Sequence, residues 1–306
     1  VNFLNYFPNS TEEKELLQFI AKYQYLKTTN APRFFVSKKY YRNRVNNLIS
    51  KSFLRKTKLY LVLDKLGIEY IKLLGSEYNK LNRNVKYLPR LLYISDLASF
   101  YYKCDKVLFT PSFSMKDNEV YTLTARRYIG TLKINGIEYL TYHISQERDY
   151  RYIASVMYDI QKERFYKNII ILTNDISRIH TNDFSFGLNK VLIIEDNILN
   201  REKLKYLNNI DWSRIIQENY NNKVHLSEYS FCDYTDNDNC FLSLFSFFDT
   251  EKITHIKYFL RENHSQKVDI ICNVEIVERL RKELPTANYI VINLDKYMDK
   301  EINIYD

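Results

Sequence analysis

The sequence predicts an α/β protein of two or three domains, led by a small basic module in which helices and a hairpin alternate. Three observations lead there. The chain has 306 residues, more than one compact domain of about 150 residues usually takes. Its apolar residues switch between helical spacing and short continuous runs such as Asn168-Ile-Ile-Ile-Leu-Thr, so helices and strands interleave. The charge is one-sided. Residues 1–75 hold 14 basic and 5 acidic side chains, while the other 231 residues hold 31 and 32, so the first quarter carries the formal net charge of +8. Residues 16–63 contain 11 Lys or Arg and no Asp or Glu. A single-sign field on one small module suits a polyphosphate surface, whereas a merely solvated face normally mixes signs.

Taken in order, Ser10 reads as the N-cap of a first helix. Glu13 can close a capping box, and Leu16, Leu17, Ile20 and Ala21 form the apolar stripe. Residues 25–29 are expected to be a short helix or turn that ends near Asn30-Ala-Pro. Ser37 is expected to cap a helix reaching about Ser50, with Tyr41, Val45, Leu48 and Ile49 inward. Its outer face carries Lys38, Lys39, Arg42, Asn43, Arg44 and Asn46, side chains that contact phosphates and read base edges. Phe53-Leu-Arg and residues 59–63 read as strands around the turn Lys56-Thr57-Lys58, with Lys51 and Arg55 adding charge beside them. A further helix runs from Asp64 through Leu66, Ile68, Tyr70, Ile71 and Leu74 to Gly75.

Helix, helix, helix, basic hairpin, helix is the order of a winged helix-turn-helix, here an α+β module over residues 1–78. Such a module lays one helix in the major groove while the hairpin reaches the flanking backbone. Double-stranded DNA is therefore the expected partner. Arg42, Asn43 and Asn46 would approach bases, and Lys38, Lys39, Lys56 and Lys58 would neutralise phosphates.

Residues 79–86 read as a polar, basic linker, followed by an amphipathic helix over 88–102. Strands are expected at 106–112, 119–129 and 137–144, a helix at 149–165 and a buried strand at 168–174. From residue 176 a C-terminal α/β extension continues. It has a strand at 190–195, a helix at 201–220, an apolar segment at 240–248, a helix at 251–262 and a closing β-α-β unit over 268–294. The expected domains are thus 1–78, 79–175 and 176–306, the last continuous with the middle or standing apart.

A winged helix followed by α-β-β-β-α-β, with "LDKLGIEYI" closing the wing and "VLFTPS" ahead of two strands and a helix, resembles the replication-relaxation family of plasmid and phage proteins. The resemblance covers roughly residues 10–175. It implies that the middle domain is restriction-endonuclease-like, of the PD-(D/E)XK type, and that the protein serves replication initiation or DNA mobilisation. An active domain of that type holds Mg²⁺ with an Asp after the Pro and a Glu-x-Lys or Glu-x-Asp on the third strand. Here Ser112 follows Pro111, and the third strand, Tyr139-Leu-Thr-Tyr-His143-Ile-Ser145, has no carboxylate. Glu138 at its start has Leu140 two residues on, and Asp117 and Glu119 fall in a turn. The expectation is a retained fold that binds without cleaving: not an enzyme, with no catalytic residue, no metal and no cofactor.

Other classes are excluded more directly. Five glycines (67, 75, 130, 136, 187) assemble neither a Walker loop nor a dinucleotide fingerprint, and five histidines never form the His-x-His of a relaxase metal site. Four cysteines without a Cys-x-x-Cys pair suit reduced, intracellular thiols. No apolar window reaches the ~18 residues of a membrane span. The N-terminus lacks the basic start and cleavage site of a signal peptide, so a cytoplasmic location without membrane contact is expected. The absence of an initiator Met suggests that the chain begins inside a longer product.

The 28 Tyr fit the codon bias of an AT-rich genome better than base-stacking platforms. Trp212 and His143 read as packed core residues, and Asp233 to Asp238 as a solvated loop. The rear of the chain is expected to form a homodimer or recruit a host replication or regulatory protein. The alternatives are a transcriptional regulator whose C-terminal part senses a ligand or peptide, and a Mg-dependent nuclease.

Overall fold

A computed structural model describes residues 8, 10–115, 127–179, 187–236 and 240–298. It is mixed α/β, as expected from the interleaved periodicities. The chain divides into two compact units. The first runs to Asp105 and takes in Phe109–Pro111; the second holds Lys106–Leu108 and the chain from Ser112 onward.

The first unit opens with α1 (Thr11–Tyr23), capped by Ser10, whose Oγ accepts from the Glu13 amide at 3.2 Å. Next come a two-residue strand, β1 (Leu26–Lys27), and a 3₁₀ turn over Thr28–Phe34. Of the short helix or turn expected at 25–29, Leu26 and Lys27 are instead a strand, while Thr28 and Thr29 open the 3₁₀ turn, which runs on past Asn30-Ala-Pro to Phe34. The cause of the strand is non-local: Leu26 and Lys27 pair with Leu61 and Tyr60, which no nearby periodicity reveals. Then follow α2 (Tyr41–Ser50), β2 (Leu54–Thr57), β3 (Tyr60–Leu63) and α3 (Lys65–Leu73). The three strands form an antiparallel sheet in the order β1-β3-β2.

The helix expected from Ser37 starts later, because Lys38, Lys39 and Tyr40 form a turn and Tyr40 stands at the N-cap. Asp64 caps α3 by accepting from the Lys65 amide at 2.9 Å, and Gly75 beyond its end takes φ +62°.

The 79–86 segment is no loose linker. The Asn79 amide donates to the Ala21 carbonyl (2.9 Å) and its Nδ2 to the Lys22 carbonyl (2.8 Å). The Asn82 amide donates to Gln24 Oε1 and Tyr25 Oη to the Asn82 carbonyl, each at 2.8 Å. Irregular backbone is therefore satisfied by the end of α1 and strapped along it. After the strap, α4 (Leu88–Phe100) buries Leu91, Ile94 and Leu97 and packs on β1 and the 3₁₀ turn. Asn30 Nδ2 donates to Ser99 Oγ at 2.8 Å and to Asp96 Oδ1 at 3.0 Å, tying that helix to the first unit rather than to the middle region. Tyr23, Tyr25, Tyr70 and Tyr101 lie buried here, so these tyrosines serve the core.

The second unit has two sheets. Its elements, in order, are β4 (Val107–Pro111, of which Phe109–Pro111 group with the first unit), β5 (Tyr128–Ile134), β6 (Ile137–Ile144), α5 (Tyr150–Gln161), β7 (Asn168–Thr173), β8 (Lys190–Glu195), α6 (Ile198–Leu204) and α7 (Trp212–Asn219). There follow β9 (Val224–Leu226), β10 (Tyr234–Asp236), β11 (Phe241–Phe245), β12 (Phe248–Asp249), α8 (Thr250–Glu262), β13 (Val268–Asn273), α9 (Val277–Glu283) and β14 (Asn288–Ile292).

One sheet has the order β12-β8-β7-β6-β5-β4, with β5 and β6 antiparallel and β6, β7 and β8 parallel. The other runs β14-β13-β11-β10-β9, with β11, β13 and β14 parallel, so the closing β-α-β unit is present. Side chains alternate between two cores. Phe241 and Phe245 of β11, with Ile270 and Cys272 of β13, join α5, α8, α9 and the first sheet in one cluster. Leu242, Leu244 and Ile271 point to the other face, against Ile215, Ile216 and Trp212 of α7. The C-terminal region therefore shares a core with the middle of the chain.

Two expected elements are split. The apolar run at 240–248 leaves one sheet after Phe245 and joins the other at Phe248, which pairs with Ile193. The helix expected at 201–220 is broken. Asn208 is drawn to the Tyr139 hydroxyl (3.0 Å) and the Ile134 carbonyl (2.9 Å), and Asp211 caps a new helix by accepting from the Arg214 amide at 3.0 Å.

Candidate nucleic-acid interface

The acid-free run does not send all its cations outward. Lys22 meets Glu77 at 3.3 Å, Lys27 meets Asp96 at 3.1 Å, and Arg33 donates to the Ser99 carbonyl at 3.2 Å. Arg44 is the main correction. Its guanidinium turns back to the start of α1, where Nε bonds Glu13 at 3.2 Å and the two terminal nitrogens bond Glu12 and Ser10 Oγ. It also stacks over the Phe35 ring at 4.9 Å. The Glu12 carboxylate, which also accepts from the Val36 amide at 2.6 Å, is held below its ordinary pKa by that amide and by Arg44. Arg44 therefore clamps α2 to α1 and leaves the candidate interface. Helical geometry is the reason: Tyr41, Arg44, Val45 and Leu48 lie on the inward side, three and four residues apart.

The rest of the set remains outside. Lys38, Lys39, Arg42, Asn43 and Asn46 are exposed along the entry turn and outer face of α2, while Arg55, Lys56 and Lys58 are exposed on the hairpin. Lys51, at the end of α2, is half-buried. Among the described residues, Lys39, Arg42, Lys51, Arg55, Lys56 and Lys58 make no ion pair with an acid. Lys39 lies near the Tyr40 ring at 5.6 Å, and Arg42 donates to the Tyr41 hydroxyl at 3.2 Å.

Helix α2 packs against β2, and the hairpin follows through a tight turn in which Ser52 takes φ +60°. The hairpin tip is Lys58-Leu59, one residue later than expected, with Lys58 at φ +52° and Leu59 68% exposed. Residue-type reasoning missed Asn47, which is exposed one turn beyond Asn43 on the same face.

In the second unit, the positions that would carry nuclease carboxylates are occupied otherwise. Ser112 is buried and its amide donates to the Ile129 carbonyl at 2.9 Å. On β6, Tyr139, Thr141 and Tyr142 are buried, and Glu138 is exposed opposite Lys133 of β5. Asp117 and Glu119 lie outside the described residues. Among those described, no group of three His, Cys, Asp or Glu could hold a metal ion.

The loop expected at 233–238 is partly a strand. Asp236 on β10 is buried and accepts from Tyr220 Oη (3.1 Å), Asn222 Nδ2 (2.8 Å) and the Cys240 amide (2.8 Å), while Asp238 lies outside the described residues. No described helix is long and apolar enough to cross a membrane.

His143 packs in β6 as expected, 4.0 Å from Asp196. That approach is not an ion pair at neutral pH. Arg201 already binds Asp196 through two bonds of 2.7 and 3.0 Å, and burial lowers the imidazole pKa to about 4. The unfolded chain, with an ordinary histidine near 6.5, then binds the proton more readily than the fold does. Stability is complete above about pH 6.5 and is lost as pH falls towards 4, by roughly 3 kcal/mol from this group. Urea melts of His143→Gln between pH 7 and 4 should lack that part of the decline; an identical decline would show that His143 does not cause it.

Comparison with protein-family models, with curated proteins and with solved structures found no match to this chain.

Proposed function

We propose that this protein binds double-stranded DNA through the outer face of α2 and the β2–β3 hairpin, and that its first unit is a winged helix-turn-helix. The observation that carries the reading is the set Lys39, Arg42, Arg55, Lys56 and Lys58, exposed along the entry turn, α2 and the hairpin with no acidic partner among the described residues. The topology supports it: helix, strand, 3₁₀ turn, helix, hairpin, with sheet order β1-β3-β2, is how such a module offers one helix and one wing to a duplex. Arg42, Asn43, Asn46 and Asn47 would face base edges, and the lysines of the entry turn and hairpin would contact phosphates.

The strand-helix order from Val107 to Thr173 fits a restriction-endonuclease-like middle region without its carboxylates, as in the replication-relaxation family, although α4, which precedes it, packs in the first unit. The role that follows is replication initiation or DNA mobilisation by binding rather than cleavage, in the cytoplasm of a host cell. The shared core of the second unit would serve self-association or a host partner. Footprinting the full chain on the DNA upstream of its own gene tests this. Protection of an iterated array supports replication, protection of one palindrome over a promoter supports transcriptional regulation, and no protection at low salt removes the reading.

A further inference from the structure

The strap and the hairpin together enclose a second basic feature. An open groove of about 630 Å³ lies in the first unit between the end of α1, the start of β2, the N-terminus of α3 and the 78–83 segment. Four cations line it: Arg55 from β2, Lys65 from the first turn of α3, and Lys80 and Arg83 from the strap. Among the described residues, the only carboxylate in its lining is Asp64, whose Oδ1 is already bonded to the Lys65 amide at the head of α3. All four cations are exposed, and none makes an ion pair among the described residues.

Two features make this more than a charged surface. The strap is irregular yet held at Asn79 and Asn82 by hydrogen bonds to the end of α1, Gln24 and Tyr25, so Lys80 and Arg83 are presented from fixed backbone. Arg55 of the hairpin also lines the groove, while its neighbour Lys56 stands exposed. Consecutive strand residues point to opposite faces, so β2 presents Arg55 to the groove and Lys56 to the other side of the hairpin.

We infer that this groove is a second nucleic-acid site, which takes the phosphodiester backbone of the duplex beyond the hairpin. It rests on the DNA-binding reading above and extends it to residues outside α2 and the hairpin tip. Sequence-independent backbone contacts fix register and add affinity without reading bases, and a row of cations on rigid backbone with an apolar floor (Ile20, Ile68) suits that task.

The test uses the full chain and a mixed-sequence 30-base-pair duplex, with affinity measured across ionic strengths. Lys80→Gln/Arg83→Gln should reduce the slope of log affinity against log salt by about two units, because two phosphate contacts are lost. Its thermal melt should match that of the parent, since neither residue is buried. An unchanged slope in the folded variant overturns the inference while leaving the DNA-binding reading intact. Failure of the parent to bind any duplex at low salt takes down both. A parent whose melt is raised by millimolar inorganic pyrophosphate, with that rise lost in the variant and the duplex slope unchanged, also overturns it, since the groove would then hold a small anion.

Discussion

Replacing Gly67 with Ala is expected to destabilise the first unit by about 3 kcal/mol or more, although helix propensity alone argues the opposite. In an exposed helix interior, Ala is favoured over Gly by about 1 kcal/mol. A Cβ at Gly67, however, would sit 2.1 Å from the Phe53 carbonyl oxygen and 3.2 Å from Leu63 Cδ2. The oxygen cannot move aside, because it accepts the Asp64 amide at 3.0 Å, where the hairpin enters α3. Nor can the helix, since the Leu66 amide donates to the Ser52 carbonyl at 3.2 Å. Overpacking against backbone of this kind costs at the upper end of the usual range or beyond it. Gly75→Ala is the matched control. It has φ +62° and open space around its Cβ, so it should cost only about 1 kcal/mol, from the left-handed backbone alone. Urea melts of both variants decide the matter; a Gly67→Ala protein as stable as its parent would mean that α3 does not rest on the turn at Phe53.

The second large effect is a separation of roles between two arginines only two residues apart. Arg42→Ala should leave the melting curve almost unchanged, because its side chain is exposed and its recorded contact is with neighbouring Tyr41. It should weaken duplex binding by roughly 10- to 100-fold, the worth of one well-made base or phosphate contact at about 1–3 kcal/mol. Arg44→Ala should do the reverse. It removes the guanidinium that satisfies Glu12, Glu13 and Ser10, leaving the largely buried Glu13 carboxylate without that bond. A loss of roughly 1–3 kcal/mol in stability is expected, with the salt slope of binding unaltered. Equal effects of the two variants on both readouts would contradict the assignment of inner and outer faces to α2.

The difference between these arginines shows where the sequence is legible and where it is not. Strong local periodicity carried through: β6, β8 and β13 occupy the residues that their apolar runs mark, and α1 and α3 begin at the caps Ser10 and Asp64. Arg44 was misplaced because a run of basic residues looks uniform in sequence. The acids that claim it, Glu12 and Glu13, stand about thirty positions earlier, across a contact that only the fold creates.

The same limit hid β1, whose two residues are strand only by pairing with β3. It also hid the strap, whose polar composition reads as linker until Asn79 and Asn82 find the end of α1. Gly67 stands in plain view within "LDKLGIEYI", yet nothing local says that a carbonyl presses against it. The basic face itself was readable because charge asymmetry needs no partner to be seen.

The most direct test of the account is the affinity of the full chain for a mixed-sequence duplex measured between about 50 and 200 mM salt. Five exposed cations that have no acidic partner among the described residues, on the entry turn, α2 and the hairpin (Lys39, Arg42, Arg55, Lys56 and Lys58), should release about as many counterions. That gives a slope of about −4 to −5 in log affinity against log salt from this face, steeper by about two units when Lys80 and Arg83 also engage, and a steep loss of binding across that range. Duplex binding that is absent at 50 mM salt, or present with a slope near zero, would contradict the claim that this cationic face meets DNA.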